Sequence, residues 1–408
     1  MADYGLIGEK LGHSFSAAIH KEFGYDYELR ELQPSEVSSF MSNPPYLGFN
    51  VTIPYKQTVM QYLDEIHPYA AEIGAVNTVV VKNGKRFGYN TDYAGMKFAL
   101  DAYGIRPDGK DVLILGSGGT AHTARALLKS LHAKRIRTVS RTGELNYENL
   151  SVDGKDAQII INTTPVGMYP NNDGCPVDLA WFPRLEGVFD AVYNPLTTRL
   201  VARARERGIA AGNGLIMLVA QAKFARDLFL ETPCADTVIY DVLKKIETEK
   251  QNIVLVGMSG CGKTTIGKLL AERLGKAFVD TDEQLIKIFN KPIPEVFRDD
   301  GEQAFRAAER EVVENLSKRN ALVIATGGGV PLSEVSRERL KQNAVTVYLT
   351  RSVNSLDRTG RPLATSEERV KQMLAVRDPV YRKIADFVVS NDAAPQQTVE
   401  KILEELKI

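Results

Sequence analysis

The sequence predicts an α/β protein in which parallel strands alternate with helices, and two stretches of the chain lead to that fold class. Two stretches, Asp111–Leu128 (DVLILGSGGTAHTARALL) and Asn252–Leu274 (NIVLVGMSGCGKTTIGKLLAERL), each run from a short apolar segment through glycines into a helical pattern. That order is typical of a parallel strand–turn–helix unit. The chain is also 408 residues long, and at roughly 150 residues per domain this length predicts two or three domains.

The predicted elements divide the chain into consecutive segments. The front contains the strand-like runs YGLIG and GFNVTI and a hairpin, NTVVVKNGKRFGYN, whose Asn83-Gly84 pair suits a tight primed turn. Strands and helices then alternate through RIRTVSR, AQIIINTT and GVFDAVYN, and the polar stretch DVLKKIETEKQN indicates a helix end leading into a linker. The expected boundaries are a first domain over 1–100 joined by a helix around 214–240, a Rossmann-like domain over 101–213, a linker over 241–252 and a last domain over 253–408.

Composition narrows the possible function classes. Lys and Arg total 51, as do Asp and Glu, so no basic excess indicates nucleic acid or an acidic membrane as a partner. The start, MADYGLIGEKLG, lacks the segments of a signal peptide, and no apolar run is long enough to span a bilayer. The three cysteines are scattered and the five histidines show no paired ligand spacing. We therefore expect a cytoplasmic protein that acts on small molecules.

A phosphate-binding loop is indicated at the start of the last domain. Gly257, Gly262, Lys263 and Thr264 match the pattern G-x-x-x-x-G-K-[ST] between a strand and a helix. In such a loop the backbone N–H groups bind phosphate oxygens, the lysine reaches the outer phosphates and the hydroxyl binds Mg²⁺. A chance glycine turn is the alternative. The residues expected at the nucleotide are Gly260, Cys261, Gly262, Lys263, Thr264 and Thr265.

Residues after later strands indicate the phosphoryl acceptor. FVDTDEQL places Asp280 and Asp282 at a strand end, where one carboxylate can hold the metal and the other can orient or deprotonate a hydroxyl. Arg306 and Arg377 could recognise a small carboxylate, and the glycines of ATGGGV (327–329) would let a ligand lie close to the backbone. Taken singly, the aspartates are better explained by a solvated strand end with a helix cap, and each arginine by a surface ion pair.

From about Asn252 to Ile408 the chain resembles shikimate kinase. The motifs GMSGCGKTT, DTD, GEQAFRAAE, TGGG, GRPL and RDPVYR carry this resemblance. It implies ATP as donor, shikimate as acceptor, Mg²⁺ held by Thr264 and Asp280, and Asp282 as the base at the 3-hydroxyl. The implied shikimate-binding positions are Asp282, Arg306, Gly328 and Arg377. The resemblance further implies that the lid arginine, Arg361, acts in catalysis with Lys263 and that Arg358 lies beside the nucleotide. The chain departs from the family in a shorter segment between Arg358 and Arg361, and in SNDAAPQQ, which has no arginine near the adenine.

The glycine turn GSGGTA (116–121) of the middle domain is a moderate dinucleotide-binding signal. The next strand ends in TVSRT, where Arg141 stands between Ser140 and Thr142. An acid at this place would bind a ribose 2′-hydroxyl, whereas an arginine suits a 2′-phosphate. The sequence therefore favours NADP over NAD, and an α/β domain without a cofactor is the alternative.

Polar residues of the front segment could form a second site. GHSFSAAIH offers Ser14 and Ser16, whose hydroxyls would point to one side of an extended chain, although a Ser-x-Ser is ordinarily a turn or a helix cap. NVTIPYK supplies Thr52 and Lys56, GAVNT supplies Asn77, and GYNTDYAG supplies Asp92. A lysine close to an aspartate could act as general acid and base, whereas an exposed pair would be a weak ion pair.

Residues 1 to about 245 resemble shikimate dehydrogenase. The motifs GHSFSAAIH, NVTIPYK, GAVNT, YNTDYAG, GSGGTA, INTTPVGM, YNPLTT and GNGLIMLVAQ follow one another in the order of that family. The resemblance implies that Ser14 and Ser16 hold the substrate carboxylate and that Lys56 and Asp92 are the catalytic pair. Further substrate positions are Thr52, Asn77, Tyr193 and Gln221, and the cofactor positions are Gly116, Ser117, Gly118, Gly119, Thr120, Ser140, Arg141, Thr142 and Gly214.

The two resemblances together imply a bifunctional enzyme that reduces 3-dehydroshikimate to shikimate with NADPH and then phosphorylates shikimate with MgATP. The implied fold is an N-terminal substrate-binding α/β domain plus a Rossmann-like NADP domain, followed by a P-loop kinase domain with a doubly wound parallel sheet. Two alternatives stay open. The front half could be a non-catalytic, ligand-sensing module that regulates the kinase, or the dehydrogenase could also accept quinate.

Overall fold

The structure is a computed structural model that describes residues 2–12, 14–356 and 367–407. The chain divides into two compact units, Met1–Thr248 and Glu249–Ile408. The first unit contains two sheets and the second contains one.

A mixed sheet of six strands forms the first part of unit one, in the order β2-β1-β3-β5-β6-β4. Its strands are β1 (Tyr4–Gly8), β2 (Tyr27–Glu31), β3 (Gly48–Val51), β4 (Glu65–Ile66), β5 (Thr78–Lys82) and β6 (Lys85–Tyr89). Its helices are α1 (Ser16–Glu22), α2 (Val37–Ser42), α3 (Pro68–Ile73) and α4 (Thr91–Ala102). β1 pairs in parallel with β2 and β3, whereas β5 runs antiparallel to β3 and β6. The predicted hairpin is confirmed, because Asn83 and Gly84 join β5 to β6 with φ of 52° and 77°, as a primed turn requires.

A second sheet of five parallel strands follows, in the order β11-β10-β9-β7-β8. Its strands are β7 (Asp111–Leu115), β8 (Arg135–Val139), β9 (Ile159–Asn162), β10 (Gly187–Asp190) and β11 (Ala210–Gly212). The helices of this region are α5 (Gly119–Ser130), α6 (Leu150–Asp153), α7 (Arg199–Glu206), α8 (Leu215–Leu230) and α9 (Val238–Lys250). Every residue of β7, β9 and β10 is buried, which explains why these strands are apolar runs without alternation.

The linker expected over 241–252 needs correction. α9 continues to Lys250 and β12 (Asn252–Val256) begins two residues later, so only Gln251 separates helix from strand. The stretch is mostly polar, but Ile239, Val242 and Ile246 recur at helical spacing and are buried in the core of unit one, as in an amphipathic helix. The helix expected around 214–240 is likewise two helices, of which α8 packs against α1 and α4 of the first part.

Unit two contains five parallel strands in the order β13-β14-β12-β15-β16. Its strands after β12 are β13 (Ala277–Asp280), β14 (Leu322–Ala325), β15 (Ala344–Thr350) and β16 (Phe387–Ser390). Its helices are α10 (Lys263–Leu274), α11 (Thr281–Phe289), α12 (Ile293–Asp299), α13 (Gly301–Ser317), α14 (Glu334–Lys341), α15 (Glu367–Ile384) and α16 (Pro395–Leu406). Because all strands are parallel, the segments that follow β12, β13 and β14 meet at one edge of the sheet.

None of the helices described by the structure combines the length and the apolar character needed to cross a bilayer.

Candidate active sites

The first site forms where the turn after β3 meets the start of α4. Lys56 lies in that turn and Asp92 in the first turn of α4, and Nζ of Lys56 donates to Oδ2 of Asp92 over 2.5 Å. The two side chains are only 16% and 10% exposed. This is not the weak, exposed ion pair that was the alternative. A lysine held in one orientation by a carboxylate can deliver a proton to a reacting oxygen.

Asn77 and Gln221 meet in a buried network beside this pair. The Nδ2 of Asn77 donates to Oγ1 of Thr91 over 3.1 Å and to Oε1 of Gln221 over 3.4 Å. The Oδ1 of Asn77 accepts from the N–H of Thr91 over 2.7 Å and from Oγ1 of Thr78 over 3.0 Å. Because Gln221 lies on α8, the network joins that helix to the first sheet. Thr78 and Thr91 were not predicted as site residues, although Thr91 directly precedes Asp92 in YNTDYAG.

Ser14 and Ser16 lie together, but not through an extended chain. Phe15 has helical angles (φ −87°, ψ −2°) and stands directly before α1. Oγ of Ser14 donates to Oγ of Ser16 over 3.1 Å and accepts from the N–H of Ser16 over 3.2 Å. A turn at the helix start, the ordinary arrangement for a Ser-x-Ser, therefore brings the hydroxyls together, and an extended chain does not. Thr52 directly follows β3 and is half-buried, and its N–H donates to the carbonyl of Ile7 over 2.9 Å.

Tyr193 approaches the two serines from the second sheet. The ring centroid of Tyr193 lies 5.2 Å from that of Phe15, which stands between Ser14 and Ser16 in the chain. Burial raises the pKa of Tyr193 to about 12, so its hydroxyl keeps its proton at neutral pH. Within residues 2–12, 14–356 and 367–407 this hydroxyl makes no hydrogen bond, and it is therefore available to a ligand. The N–H of Gly214 donates to the carbonyl of Val192 over 3.0 Å. Because a Cβ on Gly214 would overlap the carbonyl of Ala191, only glycine allows α8 to begin this close to the segment that carries Tyr193.

The turn between β7 and α5 is open at the helix N-terminus. Gly116 has φ of 106°, which favours glycine, and Gly119 is the first residue of α5. Ser117 and Gly118 are exposed, and Thr120 is half-exposed, so the backbone N–H groups at the start of the helix can reach a pyrophosphate. A Cβ on Gly119 would lie 3.9 Å from Cδ of Lys56, and this turn therefore borders the lysine–aspartate pair.

Ser140, Arg141 and Thr142 directly follow β8, where a Rossmann domain binds the adenine ribose. Arg141 and Thr142 are exposed. In the described part of the chain, the guanidinium of Arg141 forms neither a hydrogen bond nor an ion pair. A guanidinium open at this position fits a 2′-phosphate, and the residues of this site therefore fit NADP.

The second site forms around the loop between β12 and α10. Gly257, Gly260 and Gly262 have φ of 144°, 85° and 98°, so the loop adopts the conformation for which its glycines are needed. Lys263 is the first residue of α10, and its Nζ donates to the carbonyls of Gly257 and Met258 over 3.0 and 2.8 Å. Cys261 is buried, whereas Thr265 is exposed on the first turn of α10. Glycines with positive φ directly before a helix N-terminus are what a phosphate-binding loop requires.

Thr264 and Asp280 suit a magnesium ion that is shared with phosphates. Oγ1 of Thr264 donates to Oδ2 of Asp280 over 2.7 Å, and Oδ1 of Asp280 accepts from the N–H of Asp282 over 2.9 Å as the cap of α11. No group of three His, Cys, Asp or Glu side chains among the described residues could hold a metal ion alone. Two oxygen ligands from the protein, with the rest from phosphate and water, are the usual pattern for Mg²⁺, and these residues therefore fit it.

Each glycine of the ATGGGV triplet faces a different predicted side chain. A Cβ on Gly327 would lie 2.5 Å from Oδ1 of Asp282, and one on Gly328 would lie 3.3 Å from NH1 of Arg377. A Cβ on Gly329 would overlap the guanidinium of Arg306. Since the three glycines are consecutive, the carboxylate and the two arginines converge on one patch of backbone. A small acid with a hydroxyl group would find its charge partners and a base in this patch.

Glu309 was not predicted as a site residue, although its spacing of three residues from Arg306 on a predicted helix indicates that the two side chains can pair. Oε2 of Glu309 accepts from NH1 of Arg306 over 2.9 Å, and Oε1 of Glu302 accepts from NH2 over 3.3 Å. Glu309 is 3% exposed, and burial raises the pKa of its carboxyl while the charge of Arg306 lowers it. Glu309 therefore holds Arg306 towards the glycine triplet. Two predicted residues, Arg358 and Arg361, lie outside the described residues.

Comparisons with known proteins identify the family of the first unit. Residues 6–79 match the family model of the shikimate dehydrogenase substrate binding domain. A shikimate dehydrogenase (NADP(+)) of Clostridium perfringens is 37% identical over 247 residues, which cover 55% of this chain and 91% of that relative. The chain belongs to the shikimate dehydrogenase family.

Solved shikimate dehydrogenases share the fold of unit one. Shikimate dehydrogenase 1 of Peptoclostridium difficile is 31% identical, with a TM-score of 0.57 over 60% of this chain and 98% of that one. A shikimate dehydrogenase solved in complex with NADP+ is 32% identical, with a TM-score of 0.53 over 59% of this chain and 94% of that one.

The second unit matches the model of another enzyme family. Residues 259–407 match the family model of shikimate kinase, and this range includes the loop after β12 from its third residue onward, the glycine triplet, and the carboxylate and arginines around it. The chain thus combines a shikimate dehydrogenase with a shikimate kinase domain.

Proposed function

We propose that this chain catalyses two consecutive reactions on one small molecule: the NADPH-dependent reduction of 3-dehydroshikimate to shikimate, and the ATP-dependent phosphorylation of shikimate to shikimate 3-phosphate. The observation that carries the proposal is that each unit holds its own set of binding and proton-transferring groups. Residues 1–100 with α8 are assigned to the first substrate, residues 101–213 to NADP and residues 253–408 to the kinase. Three free cysteines and the absence of a charge excess support an enzyme of the cytoplasm that acts on neither nucleic acid nor membranes.

In the reductase site, residues of the chain fix the substrate and supply the proton. Ser14, Ser16 and the Tyr193 hydroxyl are placed to bind the carboxylate end, and Thr52, Asn77 and Gln221 to bind ring hydroxyls. When bound, NADPH supplies the hydride. Lys56, oriented by Asp92, protonates the oxygen as the carbonyl is reduced. The position of Lys56 against Gly119 supports this assignment, because it brings the proton donor to the cofactor side of the cleft.

In the kinase site, the loop residues hold the nucleotide and Asp282 prepares the acceptor. Arg306 and Arg377 bind the carboxylate of shikimate, and Asp282 takes the proton of the attacking hydroxyl or aligns it. The N–H groups of the loop and Lys263 stabilise charge on the transferred phosphoryl group, with Mg²⁺ held by Thr264 and Asp280. On the sequence resemblance alone, Arg361 is assigned to stabilise the charge on the transferred phosphoryl group and Arg358 to bind the nucleotide.

Two single substitutions test the proposal. Lys56→Ala removes the proton donor, so reductase turnover falls on the order of 10²–10⁴-fold while kinase turnover stays unchanged. Asp282→Asn abolishes shikimate-dependent ADP release while ATP still binds and the reductase stays active. Each variant is the control for the other. Equal loss of both activities in either variant would contradict the assignment of two independent sites, and a kinase with wild-type turnover in Asp282→Asn would exclude Asp282 as the base.

A further inference from the structure

A buried carboxylate that neither site uses directly lies at the carboxyl end of β10. Asp190 is 0% exposed. Its Oδ1 accepts from Nδ2 of Asn162 over 2.9 Å and from the N–H of Val192 over 3.0 Å, and its Oδ2 accepts from Oγ1 of Thr198 over 2.7 Å. Both carboxylate oxygens are therefore fixed by three donors from three different segments.

This carboxylate has no cation to offset its burial. Within the described residues, no Lys, Arg or His side chain forms an ion pair with Asp190, and burial raises its pKa to about 6 against the opposing effect of the three hydrogen bonds. Burial raises the pKa of the Cys175 thiol, and the charge of Asp190 adds to that rise. An ionised group in such a place costs folding free energy, so the network is not explained as a gain in stability.

The three donors belong to the loops at one edge of the second sheet. Asn162 ends β9, and its Oδ1 in turn accepts from the N–H and the hydroxyl of Thr164 over 3.0 and 2.7 Å, which fixes the turn after that strand. Thr198 caps α7, where its Oγ1 accepts from the N–H of Val201 over 3.3 Å. Val192 lies between Asp190 and Tyr193. Asp190 thus joins the end of β9, the segment after β10 and the start of α7.

The segment after β10 reaches the substrate side of the cleft. Tyr193 packs against Phe15, which stands between Ser14 and Ser16. The carbonyl of Val192 accepts from the N–H of Gly214, the residue before α8. A change in the backbone at Val192 would therefore move the Tyr193 hydroxyl relative to the two serines.

We propose that Asp190 is a positioning residue of the reductase: through the N–H of Val192 and the cap at Thr198 it sets the place of the Tyr193 hydroxyl against Ser14 and Ser16. The inference rests on the proposed reduction of 3-dehydroshikimate at this site. It assigns Asp190 no contact with substrate or cofactor.

A double-mutant cycle tests the proposal on the full chain. Asp190→Ala leaves three donors without an acceptor, and Asp190→Asn keeps an acceptor for Asn162 and Val192 but presents an N–H₂ group to Thr198. We expect kcat/KM for 3-dehydroshikimate to fall at least 30-fold in Asp190→Ala and no more than about fivefold in Asp190→Asn. In a Tyr193→Phe background, which has no hydroxyl to misplace, Asp190→Ala should cost less than threefold.

Three results would decide the matter. Non-additive losses with unchanged kinase turnover support a positioning role. Multiplicative losses, in which Asp190→Ala costs the same with Tyr193 or Phe at 193, overturn it, and Asp190→Asn provides the same comparison if the alanine variant does not fold. A wild-type chain that oxidises no NADPH with 3-dehydroshikimate would instead refute the proposed function itself.

Discussion

Gly327→Ala is a direct test of the geometry around Asp282. A Cβ on Gly327 would stand 2.5 Å from Oδ1 of Asp282, whereas ordinary contact begins at 3.4 Å, so the carboxylate must move by about 0.9 Å. Gly327 does not have a positive φ, and the substitution therefore adds no backbone strain. Because a misplacement of about 1 Å at a reacting group costs about 10²-fold in rate, we expect kcat of the kinase to fall about 100-fold.

The assay measures shikimate-dependent ADP release in a coupled system and ATP affinity by calorimetry. ATP affinity should stay within about threefold of wild type, because Gly327 faces Asp282 and not the loop after β12. Reductase turnover of the same protein is the internal control for folding and concentration. A Gly327→Ala variant with kcat within threefold of wild type would refute the assignment of Asp282 to the attacking hydroxyl, or its placement against this glycine.

Three further predictions follow from the described contacts. Arg141→Ala should raise KM for NADPH about 10- to 100-fold, since a hydrogen bond to a charged group contributes about 1.5–3 kcal/mol. KM for NADH should stay unchanged, and an equal rise of both KM values would contradict a 2′-phosphate site at Arg141. Chelation of Mg²⁺ with EDTA should stop ADP release and leave NADPH oxidation intact, and loss of both would contradict a metal confined to Thr264 and Asp280. Burial raises the pKa of Asp190 from 3.8 to about 6, so between these values the folded chain retains a proton that the unfolded chain loses. Its contribution to the free energy of unfolding therefore falls by about 2 kcal/mol as pH rises from 4 to 6. Urea unfolding followed by the single tryptophan, Trp181, should show this slope in wild type and not in Asp190→Asn.

Local patterns predicted most of both sites because the chemistry sits at strand ends. Glycine turns, Lys263 and the Asp280–Asp282 pair each stand a few residues from a buried strand, and parallel strands carry such positions to one edge of a sheet. The hairpin at Asn83-Gly84 was predictable for the same local reason, since its angles depend only on the two residues. Roles of individual residues came from resemblance to two families, and pattern alone left them undecided.

The remaining features depend on contacts between distant segments. Asn77 meets Gln221 across 144 positions of the chain, and Asn162 meets Asp190 across 28, so neither pairing has a local signal. Pattern alone left the serine pair open between an extended chain and a turn, and the helical angles of Phe15 at the start of α1 decide for the turn. The second half of α9 was predicted as a linker because its few apolar residues stand singly among charged neighbours.

One measurement tests the bifunctional assignment most directly. Purified full-length protein is mixed with 3-dehydroshikimate and NADPH, the nicotinamide absorbance is followed to completion, and MgATP is then added while ADP and shikimate 3-phosphate are quantified. The account predicts NADPH oxidation without ATP, followed by ADP and shikimate 3-phosphate in equal amounts that do not exceed the NADPH consumed. If neither NADPH nor NADH is oxidised while added shikimate still supports ADP release, the first unit is a ligand-binding module and the two-enzyme account is contradicted.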